Sequence, residues 1–516
     1  MSSRLRFLAV QALATALLST GAAAQPQPAP ASQAQTAPIT AADLRRHVDI
    51  LASDAFLGRQ PATAGERLTT DYIVTQLSRR GVEPAAANGS WLQPVQLVER
   101  SLARHQARWT RRGRTIELPA DSLVLTGRDA EARIADAPVI FAGHGAVMRE
   151  RGIDQLAGAD FRGAVALILY EGPAVEGFPS FTDRMKALGN AGAVAVIGII
   201  GPDLPWPQVR AAAAGGSVQL DQPGLPSAYG AMSWEGANAL MQGAGQNLER
   251  LLNDQPGSSF RSVTLPVRAR LEVTANVRRL TSNNVIGRIR GSAPQGQSVL
   301  LLGHWDHLGL CRPEGAADRI CNGAVDNASG IATLIEAAGR LTAGERPKRD
   351  VLILATTAEE MGLLGAEAFA RTPPVPAASI VAAVNVDTPA IAPAGTPVAV
   401  IGGTPAMEGV IGRVAVDMGR RLDRDREADV MAQRQDGWAL TRHGIPAIMA
   451  GGNASDMALL TAFLSGAYHK PEDAPSAAIE YGGAVEDANL LVALARAFAD
   501  PAQYSGSAPA AAAGGH

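Results

Sequence analysis

The second half of the chain alternates short apolar runs with segments in which apolar residues recur at helical spacing. The apolar runs predict strands at 285–289, 299–302, 351–355, 380–386, 398–401 and 447–450. Helical spacing predicts helices at 329–341, from about 361, and at 485–499, the first with one apolar face. Strands that alternate with helices form a largely parallel sheet covered on both sides. We therefore predict an α/β fold with a mostly parallel sheet and helices on both faces.

The first half of the chain begins with two helical patterns. Thr40 and Asp43 predict the capped start of the first helix. The second has Leu68 among its inward residues and ends before Gly81, as a helix with a glycine C-cap does.

From residue 101 to 275 the pattern changes to short β-like runs. These lie at 138–142, 164–170 and 194–200, separated by clusters of Gly, Pro and Ala. The segment carries few residues of paired catalytic types. We interpret it as an inserted β-rich domain that serves as scaffold or controls substrate access.

The N-terminal residues have the order of an export signal. Arg4 and Arg6 precede an apolar run, and three alanines at 22–24 offer a small-residue cleavage site. We predict a signal peptide at 1–24, cleaved near Ala24, and a periplasmic or secreted mature protein. The apolar run is too short to span a bilayer comfortably, and no other segment does. We therefore expect no stable membrane insertion.

Composition narrows the classes of partner and chemistry. A formal net charge of -3, with 47% hydrophobic and 18% charged residues, is typical of a soluble globular protein and gives no indication of nucleic acid as a partner. The sequence lacks GxxxxGK[ST], GxSxG and HExxH, which argues against the commonest nucleotide-binding, serine-hydrolase and zincin motifs. The two cysteines, Cys311 and Cys321, are expected to pair in an exported chain. The sequence indicates no particular oligomeric state.

Five residues of metal-ligating type follow the predicted strands of the second half or lie in adjoining loops. They are His304, Asp326, Glu360, Asp387 and His469. Because ligands of open α/β sheets bind beyond the carboxyl ends of the strands, we expect these side chains to meet in one crevice. Burying unpaired carboxylates is costly, so their convergence, with almost no Lys or Arg in the same motifs, predicts a divalent cation. Imidazole and carboxylate groups together suit Zn²⁺.

The same motifs resemble those of a known family. Five of them occur in the order found in the di-zinc aminopeptidases: GHWDHLG, GAVDNASG, TTAEEMGLLGAEAF, NVD and YHKPED. That family includes aminopeptidase Y and the bacterial leucyl aminopeptidases, with glutamate carboxypeptidase and the transferrin receptor as relatives. The segment near 138–260, with DFRGAVALILYEG, is similar to the protease-associated domain often inserted in this family. The stretch LASDAFLGRQPATAGERLTTDYI is similar to the N-terminal piece that joins the catalytic domain.

Composition and the resemblance together divide the chain into six parts. These are a signal peptide (1–24), a flexible linker (25–38), the N-terminal part of the catalytic domain (39–100), an inserted protease-associated-like domain (101–275), a zinc exopeptidase-like catalytic domain (276–502) and a disordered tail (503–516).

The resemblance also implies two zinc ions per chain. In the family pattern, Asp326 bridges the two ions. His304 and Asp387 complete one site, and Glu360 and His469 complete the other.

Two further residues take catalytic roles by the same resemblance. Glu359 is the general base, and Asp306 orients His304 from behind. The peptide bond between Asp326 and Asn327 is expected to be cis. His307 and His443 lie near the motifs, with only a minor role expected in metal contact.

The leading prediction is an exported zinc aminopeptidase acting on peptide substrates, and other readings stay open. A zinc carboxypeptidase or dipeptidase would need a cationic anchor such as Lys470 or Arg442. A non-catalytic, receptor-like peptide-binding relative would lack ligands, and a glutaminyl cyclase would use a single zinc. The run QDGWALTRHGIPA departs from the usual Ser-Asp-His before GIPA, although it retains Asp436. We expect this departure to reshape the substrate pocket.

Overall fold

The computed structural model describes residues 37–506, apart from 174–177, 255–259, 294–295 and 477. The predicted signal peptide and most of the predicted linker and tail lie outside the described residues. Tyr504, within the tail predicted to be disordered, is only 4% exposed, so ordered packing continues past residue 502. Among the described residues, no helix has both the length and the apolar character needed to cross a lipid bilayer.

The described residues form 12 α-helices and 19 strands, and the two kinds of element alternate mainly after residue 322. The helices are α1 (Ala41–Leu51), α2 (Ala64–Arg79), α3 (Phe181–Asn190), α4 (Trp206–Gly215), α5 (Trp234–Gly243), α6 (Leu248–Asp254), α7 (Ser329–Ala343), α8 (Leu364–Arg371), α9 (Pro405–Asp417), α10 (Asp436–Arg442), α11 (Met457–Ser465) and α12 (Gly482–Ala499). The strands are β1 (Glu83–Pro84), β2 (Leu92–Arg111), β3 (Arg114–Ile116), β4 (Leu123–Gly127), β5 (Glu131–Phe141), β6 (Val147–Met148), β7 (Ile153–Asp154), β8 (Val165–Leu169), β9 (Ala195–Ile199), β10 (Ser217–Leu220), β11 (Ala228–Met232), β12 (Val263–Ile289), β13 (Ser298–His304), β14 (Gly309–Leu310), β15 (Ile320–Cys321), β16 (Asp350–Thr356), β17 (Ile380–Asn385), β18 (Ala399–Gly402) and β19 (Ala447–Gly451).

The strands of the second half form the predicted, mostly parallel sheet. β13 pairs in parallel with β16 on one side and with β17 on the other, and β17 pairs in parallel with β19. β12 and β18 border this group in antiparallel orientation. Both faces of β13 are buried, since Val299 and Leu301 join one hydrophobic cluster while Leu300 and Leu302 join another. Burial on both sides explains why the strand reads as a continuous apolar run.

Helices cover both faces of this sheet, as predicted. α1, α2, α7, α9 and α12 pack on one face, and α8 and α10 pack on the other. For α7 the sequence predicts one apolar face, whereas every residue from Ser329 to Leu341 is buried. The difference arises because α7 lies between the sheet and two further helices, α1 and α12, and is therefore enclosed on all sides.

The segment 101–275 has strands, helices and hydrophobic clusters of its own. β5, β8, β9 and β11 run parallel, and β4 pairs with β11 in antiparallel orientation. Four helices, α3 to α6, accompany these strands. The description "β-rich" is therefore incomplete. α4 was not predicted because it is short and rich in Ala, and its apolar residues do not recur on one face. The predicted domain boundaries stay predictions.

Two long strands connect this segment to the second half. The first half of β12 pairs with β5, whereas residues 285–289 at its other end pair with β16. β2 runs antiparallel to β12 from Thr110, opposite Arg268, to Leu92, opposite Val285. As a result, 15 of the described strands, drawn from both parts, belong to one sheet, while β6 with β7 and β14 with β15 form two separate two-stranded sheets.

Some local signals are confirmed and one is wrong. Thr40 caps α1 in a capping box with Asp43, as predicted. α2 ends at Arg79, shortly before Gly81, but Leu68 is 41% exposed. The inward face of α2 includes Thr69, Thr70, Ile73 and Leu77. Leu68 lies outside this face and points toward solvent.

Cys311 and Cys321 form the predicted disulfide. The bond closes the loop between β14 and β15, which pair through Gly309 opposite Cys321. Gly58, from the N-terminal segment, packs directly on this hairpin, since a Cβ at that position would lie 2.4 Å from the carbonyl oxygen of Cys321.

Candidate metal centre

Three parallel strands, β13, β16 and β17, end at the same edge of the sheet. His304 is the last residue of β13, Glu360 follows β16, and Asp387 follows β17. Asp326 lies in the turn Ala324–Ala328 that leads into α7, and His469 lies in the loop between α11 and α12. The fold therefore brings all five predicted ligands to one place.

Asp326 lies between the two imidazoles. Its Oδ1 is 3.3 Å from His304 Nε2, and its Oδ2 is 3.4 Å from His469 Nε2. Asp387 Oδ1 lies 3.3 Å from the same nitrogen of His304, and Glu360 Oε2 lies 2.7 Å from that of His469. The five side chains thus form two groups that share Asp326, which is the division implied by the family resemblance. The peptide bond between Asp326 and Asn327 is cis, as that resemblance also implies.

The donor set fits divalent cations. His304, Asp326 and Glu360 offer ligand atoms within 4.8 Å of one another, and so do His304, Glu359 and Asp387. Asp326 Oδ2 is buried and has no hydrogen-bond partner among the described residues. A buried carboxylate oxygen without a partner is costly unless a cation neutralises it. Imidazole nitrogens and carboxylate oxygens are the ligands that zinc accepts.

The pKa values of the cluster reflect its surplus of carboxylates. Burial raises the pKa of Glu359 well above its usual range and raises that of Asp387. Asp326 is also buried, but the nearby imidazoles of His304 and His469 outweigh the burial and hold its pKa well below the usual range. For His469, the nearby carboxylates of Asp326 and Glu360 outweigh burial and raise the pKa to about 9. A divalent cation would relieve this crowding of negative charge.

Asp306 lies close to His304 but does not orient it in the expected way. Its carboxylate Oδ1 is 3.8 Å from His304 Nδ1, beyond hydrogen-bond distance, and accepts instead from the backbone N–H of Glu359 at 3.1 Å. The backbone carbonyl oxygen of Asp306 lies 3.2 Å from His304 Nδ1. The main chain of Asp306 therefore contacts the imidazole, because the chain turns back after β13, and the side chain holds the loop that carries Glu359.

Two neighbours of the predicted ligands also belong to the cluster. His307 is 1% exposed, and its Nδ1 lies 2.6 Å from Glu360 Oε1. Tyr468 stacks on His469 with ring centroids 3.6 Å apart, and burial and the nearby carboxylates raise the pKa of its hydroxyl. His307 was already noted from the sequence, three residues after His304, whereas the only signal for Tyr468 is that it directly precedes His469. His443, by contrast, lies outside the cluster and pairs with Glu367.

Three more buried charged residues lie behind the cluster. Asp436 begins α10 and accepts a hydrogen bond from Thr356 Oγ1, and burial raises its pKa to about 6. Arg59 and Asp473 contact the backbone of the turn that carries Asp326. Both residues lie in motifs recognised above, but a contact with backbone atoms leaves no signature in residue type.

Fold and site together define a candidate divalent-cation centre at the carboxyl edge of an α/β sheet. Residues 284–495 match the family model described as peptidase family M28. "Probable zinc metalloprotease" from Pyrenophora teres f. teres is 34% identical over 103 residues, which are 20% of this chain and 22% of that protein. A protein of the same name from Pyrenophora tritici-repentis is 33% identical over 103 residues, 20% of this chain and 23% of that protein. The match spans about a fifth of the length of these curated relatives.

The chain also has a likeness to solved structures. An aminopeptidase from Aneurinibacillus sp. strain AM-1 is 18% identical, with a TM-score of 0.49, covering 91% of this chain and 95% of that one. BSAP, a zinc aminopeptidase from Bacillus subtilis, is also 18% identical, with a TM-score of 0.43, covering 89% of this chain and 94% of that one.

Proposed function

We propose that this protein is an exported zinc aminopeptidase that removes N-terminal residues from peptides and binds two zinc ions per chain. The observation that carries the proposal is the position of Asp326 between two imidazole–carboxylate pairs, with Glu359 beside them. The match of residues 284–495 to the M28 family model and the zinc metalloprotease names of the curated relatives support zinc and peptide chemistry.

Zinc bound by these residues would polarise the scissile carbonyl and lower the pKa of a water toward about 7. Glu359 accepts the proton of the attacking water on its carboxylate and later donates it to the leaving amine. The carboxylate of Asp306 fixes the backbone of Glu359 through the 3.1 Å hydrogen bond, so the base is held beside the ligand group. The carbonyl oxygen of Asp306, 3.2 Å from His304 Nδ1, favours the tautomer that leaves Nε2 free to bind a cation.

The charges around the site favour an aminopeptidase over a carboxypeptidase. A surplus of carboxylates attracts the α-ammonium group of a peptide, whereas a carboxypeptidase needs a free cation. Arg442 Nη2 already donates to Glu367 Oε2 at 2.6 Å, and Lys470 Nζ donates to the carbonyl oxygen of Ser465 at 3.1 Å. The two candidate anchors for a substrate carboxylate are therefore engaged elsewhere.

Other relatives on this fold fit the cluster less well. A receptor-like relative is expected to have lost ligands, and all five lie together here. A glutaminyl cyclase that binds a single zinc would need only one ligand group, whereas the cluster contains two groups that share Asp326.

Export rests on the N-terminal pattern and is supported by the disulfide. A Cys311–Cys321 bond persists in oxidising compartments such as the periplasm. N-terminal sequencing of protein recovered from the periplasm or the medium should begin near Gln25. Mature protein that stays in the cytoplasm with residue 1 intact would contradict export.

Hydrolysis of aminoacyl-p-nitroanilides tests the activity. We expect turnover that is lost on chelation, restored by Zn²⁺ and absent with N-acetylated versions of the same substrates. Metal analysis should give two zinc ions per chain. Turnover of N-blocked but not free-amine substrates would overturn the proposal, as would folded protein that never binds zinc.

A further inference from the structure

Two buried side chains from distant parts of the chain hold the turn that carries Asp326. The first is Arg59, which is 1% exposed. Its Nη1 donates to the carbonyl oxygen of Asn322 at 2.5 Å, and its Nη2 donates to that of Gly323 at 2.8 Å and that of Asp326 at 3.4 Å. The same guanidinium also donates to the carbonyl oxygens of Trp305 and Leu51, each at 2.9 Å.

The second is Asp473, which is 3% exposed and binds the amide side of the same turn. Its Oδ1 accepts from the backbone N–H of Val325 at 2.9 Å, and its Oδ2 accepts from that of Asp326 at 3.0 Å. Its own carbonyl oxygen accepts from the backbone N–H of Ala324 at 3.0 Å. Asp473 also lies in the same loop as His469, so one loop contributes an imidazole and a support for the shared aspartate.

We propose that Arg59 and Asp473 are positioning residues that fix Asp326 so that one carboxylate oxygen faces each imidazole. We name this pair the Asp326 clamp. Arg59 binds the carbonyl groups of the turn and Asp473 binds its amide groups, so the backbone of Asp326 is held from both sides. A residue shared by two cations must present both oxygens at once, and small displacements of its backbone misplace one of them. This inference deepens the proposed function, but metal binding tests it without any peptidase assay.

The positive charge of Arg59 and the geometry of its guanidinium have opposite effects on the affinity for metal, so the two contributions can be separated. A buried positive charge beside the cluster repels incoming cations, so its removal alone would strengthen metal binding. The planar guanidinium presents five donors in a fixed fork, whereas an ammonium group cannot reach the same set of carbonyl oxygens. Arg59→Lys therefore removes the geometry on which the Asp326 clamp depends, and any loss of positive charge at the buried lysine would oppose the weaker binding that we expect.

Arg349 offers a matched control. It is also 1% exposed, and its Nη1 donates to the carbonyl oxygens of Phe498 and Tyr504, each at 2.6 Å. It precedes β16, whose other end leads to the cluster. Arg349→Lys therefore breaks similar buried hydrogen bonds without touching the turn at Asp326.

The experiment uses the full mature chain, stripped of metal and titrated with Zn²⁺ against a chromophoric chelator, with thermal midpoints measured in parallel. The visible spectrum of the Co²⁺-loaded protein reports the ligand geometry. We expect Arg59→Lys to weaken zinc binding at least tenfold and to change the Co²⁺ spectrum. Arg349→Lys should lower the thermal midpoint but change zinc affinity less than twofold and leave the spectrum intact.

Asp473→Asn provides a second variant that keeps the shape of the side chain. Its amide NH₂ cannot accept from one of the two backbone N–H groups, so we expect it to weaken zinc binding and change the spectrum as Arg59→Lys does. If Arg59→Lys does not fold, Asp473→Asn decides by the same two measurements. Wild-type zinc affinity and an unchanged spectrum in the folded variant would overturn the Asp326 clamp. Failure of the wild-type protein to bind zinc would instead overturn the proposed function.

Discussion

Glu336 is a buried carboxylate in an ionic network that joins α7 to the first two helices. Its Oε1 lies 2.8 Å from His47 Nε2 and accepts from Arg46 Nη2 at 3.1 Å, and its Oε2 accepts from Arg340 Nη1 at 2.6 Å. Arg80 donates to the same carboxylate. The network contains none of the candidate ligands, so its contribution to stability is measurable separately from metal binding.

We predict that Glu336→Gln lowers the free energy of unfolding by about 3 kcal/mol at pH 7. Burial alone would raise the pKa of Glu336, but the hydrogen bond with His47 and the nearby positive charges outweigh it and lower the pKa from 4.5 to about 2. At about 1.36 kcal/mol per pKa unit, this difference corresponds to roughly 3.4 kcal/mol. Removing one partner of a buried ion pair typically costs about 3–5 kcal/mol, which gives a similar figure.

The sign of the pH dependence follows from the lowered pKa. Because the folded protein binds the proton of Glu336 less readily than the unfolded chain does, the stabilisation is complete above about pH 5. It is lost progressively as the pH falls toward 2. Urea unfolding of metal-free wild type and variant, from pH 7 down to pH 3, should therefore show a difference that shrinks with acidification.

The matched control is Glu131→Gln, because Glu131 pairs with Arg133 at the surface. The side chain of Glu131 is 65% exposed and that of Arg133 is 79% exposed. An exposed pair contributes little, so this variant should unfold like the wild type. A Glu336→Gln variant as stable as the wild type at pH 7 would refute the reasoning. So would a difference that stays constant down to pH 3.

Three further outcomes are expected. Glu359→Gln should retain the zinc content of the wild type while kcat falls by about 10²–10⁴, as measured by metal analysis and p-nitroanilide hydrolysis, and a wild-type kcat would exclude Glu359 as the base. Replacing Cys311 and Cys321 together by Ser should lower the free energy of unfolding by roughly 2–3 kcal/mol on the loop-entropy estimate, and an unchanged urea midpoint would show that the loop is held without the bond. Removing zinc should lower the thermal midpoint, since free zinc at about 100 times its Kd stabilises the folded state by about 2.7 kcal/mol, and a midpoint independent of zinc would contradict a bound ion.

The parts of the fold that the sequence predicted are those in which residue type and periodicity determine the structure. The strand ending at His304 contains a continuous apolar run, Val299 to Leu302, because both of its faces are buried. The position of His304 at a strand end, together with Glu360 and Asp387 after the neighbouring strands, predicted that these side chains meet. Thr40 and Asp43 are visible as a helix start because a capping box needs those side chains.

The parts that were missed depend on contacts that leave no pattern in the sequence. Arg59 and Asp473 act on backbone carbonyl and amide groups, which every residue carries. The carboxylate of Asp306 accepts from the backbone N–H of Glu359, and only the fold shows that this contact replaces one with His304. Leu68 is exposed because the inward face of α2 is set by what packs on it, which the helical spacing alone does not reveal.

The pairing of β2 with β12 has a consequence for shortening the chain. Ser101 lies directly opposite Asn276 in that ladder. The segment 102–275 therefore begins and ends at neighbouring positions on two paired strands. Opposite Cα atoms of an antiparallel ladder are about 4.5–5.5 Å apart, a gap that a two-residue turn closes. Excising 102–275 and joining the ends by Asn-Gly would leave every remaining rung in register. The new outer edge would be the part of β2 along 97–100 from which β10 had been removed.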